Sequence, residues 1–72
     1  AEVLELELSE ESSLVGKPIE DLVEDIEGTF VIGAITREES RINPRGDTVL
    51  EPGDHAIVLA EMDFASELAS LA

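Results

Sequence analysis

Three arginines are the residues of this chain whose type and spacing could most readily do chemistry. Arg37, Arg41 and Arg45 fall within nine positions, and they are three of only four basic residues in a chain of 72. A guanidinium carries a planar set of donors that matches phosphate oxygens, so this segment could hold an anionic ligand. The alternative is pairing with nearby carboxylates, which is worth less than about 1 kcal/mol per exposed pair. The carboxylates available for such local pairs are Glu38, Glu39 and Asp47.

Other kinds of reactive or metal-binding site find no support in the sequence. His55 is the only histidine, and a catalytic base needs a nucleophile or a second acid arranged around it. Cysteine is absent, so no thiolate is available. The carboxylates lack the spacing of a calcium loop, and the glycines do not form a nucleotide-binding loop. We therefore predict no catalytic residue, no enzyme activity and no metal site.

The charge of the chain is strongly acidic, with 18 acidic residues and a net charge of −14. Because 43% of the residues are hydrophobic and fall in patterned clusters, we predict a folded domain rather than a disordered tail. Dispersed acids and a single lysine favour adaptation to high salt, where self-repulsion is screened; the alternative is a generic acidic surface. Direct binding to nucleic acid or to anionic lipid is disfavoured. Without a membrane span or a signal peptide, we expect a cytoplasmic domain.

Hydrophobic periodicity predicts the elements that must position the arginines. Within residues 3–8, Leu4, Leu6 and Leu8 alternate with Glu5 and Glu7, which indicates a half-buried strand. A helix is expected to begin near Pro18, which suits a first helical turn, and to stop at Gly28. Its apolar face would consist of Ile19, Leu22, Val23 and Ile26.

The second half of the chain predicts three further strands and a helix. Residues 29–36 are apolar and β-branched, which favours a strand. Residues 37–40 form a polar reverse turn, and residues 41–43 a short returning strand that Pro44 ends because it cannot donate to the ladder. Residues 55–60 are another apolar strand. Asp63 is expected to cap the terminal helix, whose shared apolar face would be Phe64, Leu68 and Leu71.

Two turn-rich segments separate the short returning strand from the last strand. Residues 51–54 read Glu-Pro-Gly-Asp, a β-turn in which Pro52 presets φ and Gly53 takes positive φ. Residues 48–50, between this turn and the one at residues 43–47, are hardly enough for one optional strand.

The predicted order is β-α-β-β-(β)-β-α, an α+β domain with a small mixed, mostly antiparallel sheet and two helices. We expect residues 1–72 to be one domain, and the lack of an initial methionine suggests a fragment of a longer protein. Both faces of the 29–36 strand are apolar. Since helices can cover only one of them, a second copy of the chain is the expected cover, which predicts a homodimer.

Three motifs in register resemble those of a known family. They are LVGKPIEDL at residues 14–22, FVIGAITR at residues 30–37 and NPRGDTVLEPGD at residues 43–54. Each motif alone is weak, but their order and the gaps between them are similar to the TrkA-C domain. This domain is also called the C-terminal lobe of RCK regulators of potassium conductance. The resemblance extends from about residue 2 to residue 71.

The resemblance implies the TrkA-C fold and a ligand-sensing function. Domains of this family dimerise and couple ligands to the gating of K⁺ channels and related transport systems, so a channel or transporter membrane subunit is the implied partner. Some members bind cyclic di-AMP in a cleft on the dimer two-fold axis. By position, Val31 and Ile32 would pack on adenine and Arg37 would approach the phosphates. Asn43 and Pro44 would line the adenine side.

We therefore expect a dimerising regulatory domain of a potassium channel or transport system, with cyclic di-AMP or another nucleotide as its effector. No resident cofactor is expected. The domain would lie in the cytoplasm, at the inner face of the membrane through its transport partner. The alternative is a purely structural dimerisation module without its own ligand.

Overall fold

A four-stranded sheet and two helices make up the fold. The structure is a computed structural model that describes residues 2–26 and 30–72. Along the chain the elements are β1 (Glu2–Glu7), α1 (Ile19–Asp25), β2 (Phe30–Arg37), β3 (Ser40–Ile42), β4 (His55–Ala60) and α2 (Met62–Leu71). The predicted α+β class is confirmed. In the described ranges, no helix is both long enough and apolar enough to cross a membrane.

The strands lie in the order β1-β4-β2-β3. β4 pairs antiparallel with β1 on one side and with β2 on the other, and β2 pairs antiparallel with β3. The sequence predicted a mixed, mostly antiparallel sheet. All pairs between the four described strands are antiparallel: β2 and β3 form a hairpin, and β4 runs opposite to both of its neighbours, β1 and β2.

The optional strand at residues 48–50 does not join the sheet. Val49 forms only an isolated bridge with Pro18. The neighbouring carbonyls of Thr48 and Leu50 accept hydrogen bonds from the N–H groups of Ile19 and Gly16, each at 2.9 Å. This segment therefore supports the start of α1 instead of extending the sheet.

One face of the sheet packs with both helices into a hydrophobic core. Leu6 of β1 is buried, as the alternation of apolar residues predicted, and Val58 of β4 is buried as well. Phe30 of β2 and Phe64 of α2 bring their ring centroids within 6.2 Å. The buried members of the core are Leu6, Leu8, Leu14, Ile19, Leu22, Phe30, Ile35, Leu50, Ala56, Val58, Ala60, Phe64 and Leu68.

A β-bulge at Gly33 lets β2 keep its inward face apolar. The register of β2 against β4 shifts between Ile32 and Ala34. Ile32 pairs with Val58 and Ile35 pairs with Ala56, so the side chains of Ile32 and Ile35 lie on the same face although three positions separate them. Ile35 is completely buried as a result.

The other face of the sheet leaves apolar side chains exposed. Val3, Leu59 and Val31 form one cross-strand row in which they are 69%, 43% and 60% exposed. Ile57 and Ala34 continue this surface in the next row and are partly exposed. We call these five residues the outer face. Its presence confirms that β2 is apolar on both sides.

Helix α1 begins without a side-chain cap at Pro18. The N–H groups of Ile19 and Glu20 donate instead to the carbonyls of Thr48 and Gly46, each at 2.9 Å. These bonds satisfy donors that a helix start leaves unpaired. The prediction that Val23 packs on the apolar face of this helix is wrong, because its side chain is 53% exposed. The predicted stop at Gly28 lies outside the described residues.

Helix α2 begins at Met62, two residues earlier than a cap at Asp63 would place its start. Glu61 occupies the N-cap position with extended backbone angles, so the prediction that Asp63 caps the helix is wrong. Asp63 lies in the first turn, where its charge favours the positive end of the helix dipole. At the other end, the N–H of Ser13 and the hydroxyl of Ser12 donate to the carbonyl of Leu71 at 3.0 and 2.7 Å.

The turn between β2 and β3 contains strained residues and gives a first prediction. Glu38 and Glu39 both have positive φ, 48° and 68°, as the two central residues of a type I′ hairpin require. Since Asn and Gly adopt these angles more readily, we expect E38N/E39G to stabilise the domain by roughly 1 kcal/mol. Urea unfolding measures the gain. E38Q/E39Q removes the same charges but keeps the strain, and an equal gain in that variant would contradict the backbone explanation.

Candidate functional site

Arg37 is held by carboxylates that lie far from it in sequence. Its Nε and Nη2 groups donate to the two carboxylate oxygens of Asp54 at 2.9 and 2.8 Å. Nη2 also donates to the carbonyl of Val49 at 3.0 Å. Nη1 lies 2.9 Å from a carboxylate oxygen of Glu51. The end of β2 is thereby fixed to the loop that leads into β4.

Asp54 is a charged residue that is wholly buried, and Arg37 compensates its charge. The hydrogen bonds from Arg37 lower the pKa of the Asp54 carboxyl, and this effect exceeds the upward shift that burial causes. A further bond from the N–H of Glu51, at 2.9 Å, acts in the same direction. The same pairing raises the pKa of Arg37.

The alternative in which Arg37 pairs with its sequence neighbours does not hold, although Arg37 does pair with carboxylates. Within residues 2–26 and 30–72, Arg37 forms ion pairs with Glu51 and Asp54, and none with Glu38, Glu39 or Asp47. Those three acids are exposed. A buried carboxylate loses far more free energy without a counter-charge than an exposed one does, so Asp54 takes the guanidinium.

The turn at residues 51–54 connects three strands. Gly53 has a φ of +88°, which confirms the predicted role of glycine in this turn. The N–H of Gly53 donates to the carbonyl of Leu8 at 2.8 Å, and the N–H of Leu8 donates to the carbonyl of Asp54 at 2.9 Å. With Arg37 bound to Asp54, the turn joins the end of β1, the end of β2 and the start of β4.

A second feature, a surface cleft of about 280 Å³, lies beside the start of β2. Its walls are mostly apolar, and one basic residue, Arg45, is among them. The lining residues are Ile19, Val23, Phe30, Val31, Ile32, Pro44, Arg45 and Gly46. Within the described residues, the Arg45 side chain makes no ion pair and no hydrogen bond. An apolar wall beside an available guanidinium suits an anion that carries a flat apolar group.

The cleft exists because β3 is short. Pro44 follows β3, and the described pairs between β2 and β3 extend only over Ile35–Arg37. Beyond them, the chain crosses to α1, where the carbonyl of Gly46 accepts the N–H of Glu20. Gly46 fits closely here, since an added Cβ would come within 2.9 Å of a carboxylate oxygen of Glu20. The gap beside the uncovered part of β2 is the cleft.

Three of the five predicted ligand residues lie in the cleft, one lies beside Asp54, and one lies at neither place. Val31, Ile32 and Pro44 line the cleft together. Asn43 is exposed next to Pro44 and is not among the lining residues. Arg37 lies at the other end of β2, in contact with Asp54.

Sequence reasoning left Arg45 out of the predicted site. It was grouped with the other arginines as a possible anion ligand, but the resemblance assigned only Arg37 to the phosphates. The signal that could have found it is its position between Pro44 and Gly46, in a loop too constrained to continue β3.

Fold and cleft together define a small α+β domain whose surface carries an apolar cleft with one available guanidinium. The model of the TrkA-C domain matches residues 3–72. The chain belongs to the TrkA-C domain family. A curated relative is the Trk system potassium uptake protein trkA homolog 1 of Methanosarcina mazei, which is 33% identical over 67 residues. That match covers 93% of this chain, and this chain spans 16% of the relative's length.

Solved structures of the same fold come from BusR of S. agalactiae. Its RCK_C domain dimer in complex with c-di-AMP has a TM-score of 0.79 and 28% identity, covering 96% of this chain and 86% of that one. BusR in complex with its busAB-promotor DNA also has a TM-score of 0.79 and 28% identity, covering 96% of this chain and 34% of that one. Since a matched protein binds DNA, the absence of nucleic-acid binding in this chain stays a prediction.

The buried pair gives a second prediction, which depends on pH. Because the folded pKa of Asp54 is lowered, its pairing stabilises the domain above the unfolded value of about 3.9 and is lost as the pH falls through the folded pKa. We expect Asp54→Asn to cost about 3 kcal/mol at pH 7 and less below pH ~4. Urea unfolding at both pH values measures this difference. Asp47→Asn, an exposed control, should cost little; an equal loss in both variants would contradict the assignment.

Proposed function

We propose that this domain is a dimeric, ligand-sensing regulatory module of a potassium channel or transport system, and that it binds cyclic di-AMP at its dimer interface. The observation that carries the proposal is the cleft, in which Val31, Ile32 and Pro44 meet beside Arg45. The family and the potassium-uptake relatives support the transport role, and the BusR dimer supports the ligand. The module would act in the cytoplasm through its membrane partner, without catalysis.

The size of the cleft supports a site made from two copies. A volume of about 280 Å³ is at the lower limit for a small-molecule pocket, so it would enclose one half of a dinucleotide better than the whole. Val31 and Arg37 are six positions apart on β2, which places them about 20 Å apart along the strand. A compact ligand that touches both would therefore take them from different copies.

The outer face supports the homodimer. Val3, Leu59 and Val31 expose large apolar side chains in one row, and contiguous apolar surfaces of this kind mark association sites. In a chain with a net charge of −14, burial of apolar area has to outweigh the repulsion between two copies. High salt would screen that repulsion. Ligand binding that favours one arrangement of the dimer would then shift its population, which the transport partner senses.

A purely structural dimerisation module is the second candidate. The observation in its favour is that Arg37, the predicted phosphate ligand, already binds Asp54 and Glu51. Thermal melts with cyclic di-AMP separate the candidates, since a ligand selective for the folded state must raise the melting temperature. No shift in high-salt buffer at saturating nucleotide would favour the structural module.

The cleft gives a third prediction. We expect Arg45→Ala to weaken cyclic di-AMP binding by about tenfold, because it removes the guanidinium of the cleft. Isothermal titration calorimetry in molar KCl measures the affinity. Lys17→Ala is the matched control, since it removes one positive charge whose ion pair with Asp25 is exposed and outside the cleft. An equal loss in both variants would show that only net charge matters.

A fourth prediction concerns the outer face. We expect Leu59→Glu to shift the chain toward monomer, because it places a charge in the middle of the exposed apolar row. Sedimentation velocity over a concentration series measures the shift. Met62→Glu adds the same charge at a side chain that is 73% exposed on α2. Equal effects of the two substitutions would remove the outer face from the interface.

A further inference from the structure

The two carboxylates bound to Arg37 differ sharply in their surroundings. The Asp54 side chain is 1% exposed and receives two hydrogen bonds from the guanidinium. The Glu51 side chain is 57% exposed, and its ion pair is with Nη1 alone. Asp54 is therefore a fixed part of the fold, whereas the Glu51 carboxylate can exchange its contact with Arg37 for water at small cost.

The donors of Arg37 show which part of it a ligand can reach. A guanidinium has five N–H donors. Nε and Nη2 are engaged by Asp54 and the carbonyl of Val49. Only Nη1 remains for an incoming anion, and it is the group that Glu51 contacts at 2.9 Å.

We propose that Glu51 is a built-in competitor for the anionic ligand at Arg37. This inference rests on the proposed function, because it concerns the same arginine and the same ligand class. Nη1 carries two N–H groups, so a phosphate that takes both of them has to displace the Glu51 carboxylate, which then returns to water. We expect phosphate to make this exchange more readily than a weakly binding anion such as chloride, because its oxygens bind a guanidinium more strongly.

The competition also changes how salt affects binding. Simple binding of an anion to a cation weakens as salt rises, because screening reduces the attraction. Here the ligand replaces the Glu51 carboxylate at Nη1. Screening therefore weakens the contact with Glu51 that is lost as well as the contact with the ligand that is gained. Salt should therefore reduce binding to the native chain less than binding to a chain that lacks the Glu51 charge.

Glu51→Gln tests this inference. The substitution keeps the backbone N–H bond from residue 51 to Asp54 and removes only the charge beside Nη1. We expect cyclic di-AMP to bind this variant roughly two- to fivefold more tightly, with a steeper decline from about 0.2 M to about 2 M KCl. Glu39→Gln is the control, because it removes an exposed acid that makes no ion pair with any described residue.

A second measurement separates this inference from the proposed function. Titration with inorganic phosphate, followed by the side-chain ¹⁵N signals of Arg37, should shift Nη1 at lower phosphate concentration in Glu51→Gln than in the native chain. If cyclic di-AMP binds neither protein, the proposed function fails and the phosphate titration alone decides the role of Glu51. Equal phosphate responses, or equal affinities and salt slopes for cyclic di-AMP, would overturn the competitor role. Weaker binding to Glu51→Gln would overturn it too.

Discussion

The bond between Arg37 and the buried carboxylate of Asp54 is the interaction on which the rest of the structure depends. Asp54 ends the turn from which β4 starts, and its backbone carbonyl also binds the N–H of Leu8 after β1. β4 lies between β1 and β2, so a change in the conformation of this turn would displace the strand that holds those two together. A carboxylate without its partner could not stay in this dry position, because the cost of burying an unpaired charge exceeds what most single contacts contribute.

The two carboxylates around Arg37 differ in how firmly they are held. The buried contact with Asp54 is permanent, and the exposed contact with Glu51 is exchangeable. Arg37 alone offsets two carboxylates, so the cluster keeps a net negative charge. Coulomb attraction in the buried part is weakly screened, and it holds in concentrated salt. Attraction in the exposed part is weak and sensitive to its surroundings. A single residue can therefore fix the fold and still present one edge to a ligand, provided that different nitrogen atoms serve the two functions.

Much of the fold was predictable because the relevant signals are local. Alternation predicted β1, β-branched composition predicted β2, and the Pro-Gly turn predicted the start of β4 at His55. The partner of Arg37 was not predictable in this way. Asp54 lies 17 positions away, and only the strand order brings it close, while three acids nearer in sequence appeared equally suitable. The bulge at Gly33 was missed for a similar reason, since it is defined by the register against β4 and not by the residues of β2 alone.

The cleft illustrates how a local rule produces a site that local reasoning describes only in part. Proline cannot donate to a strand ladder, so Pro44 prevents β3, which ends at Ile42, from continuing along β2. The start of β2 is then left without a neighbour on that side, and the following residues must find other partners for their carbonyls. They find them in the unpaired N–H groups at the start of α1. The gap between β2 and α1 follows from the end of β3 and from these hydrogen bonds. Arg45 lies in the segment that crosses from β3 to α1, and it therefore lines the gap. The Asn-Pro motif at residues 43–44 therefore predicts a cleft near Pro44. That Arg45 is the basic residue of this cleft follows only from the path of the loop after β3.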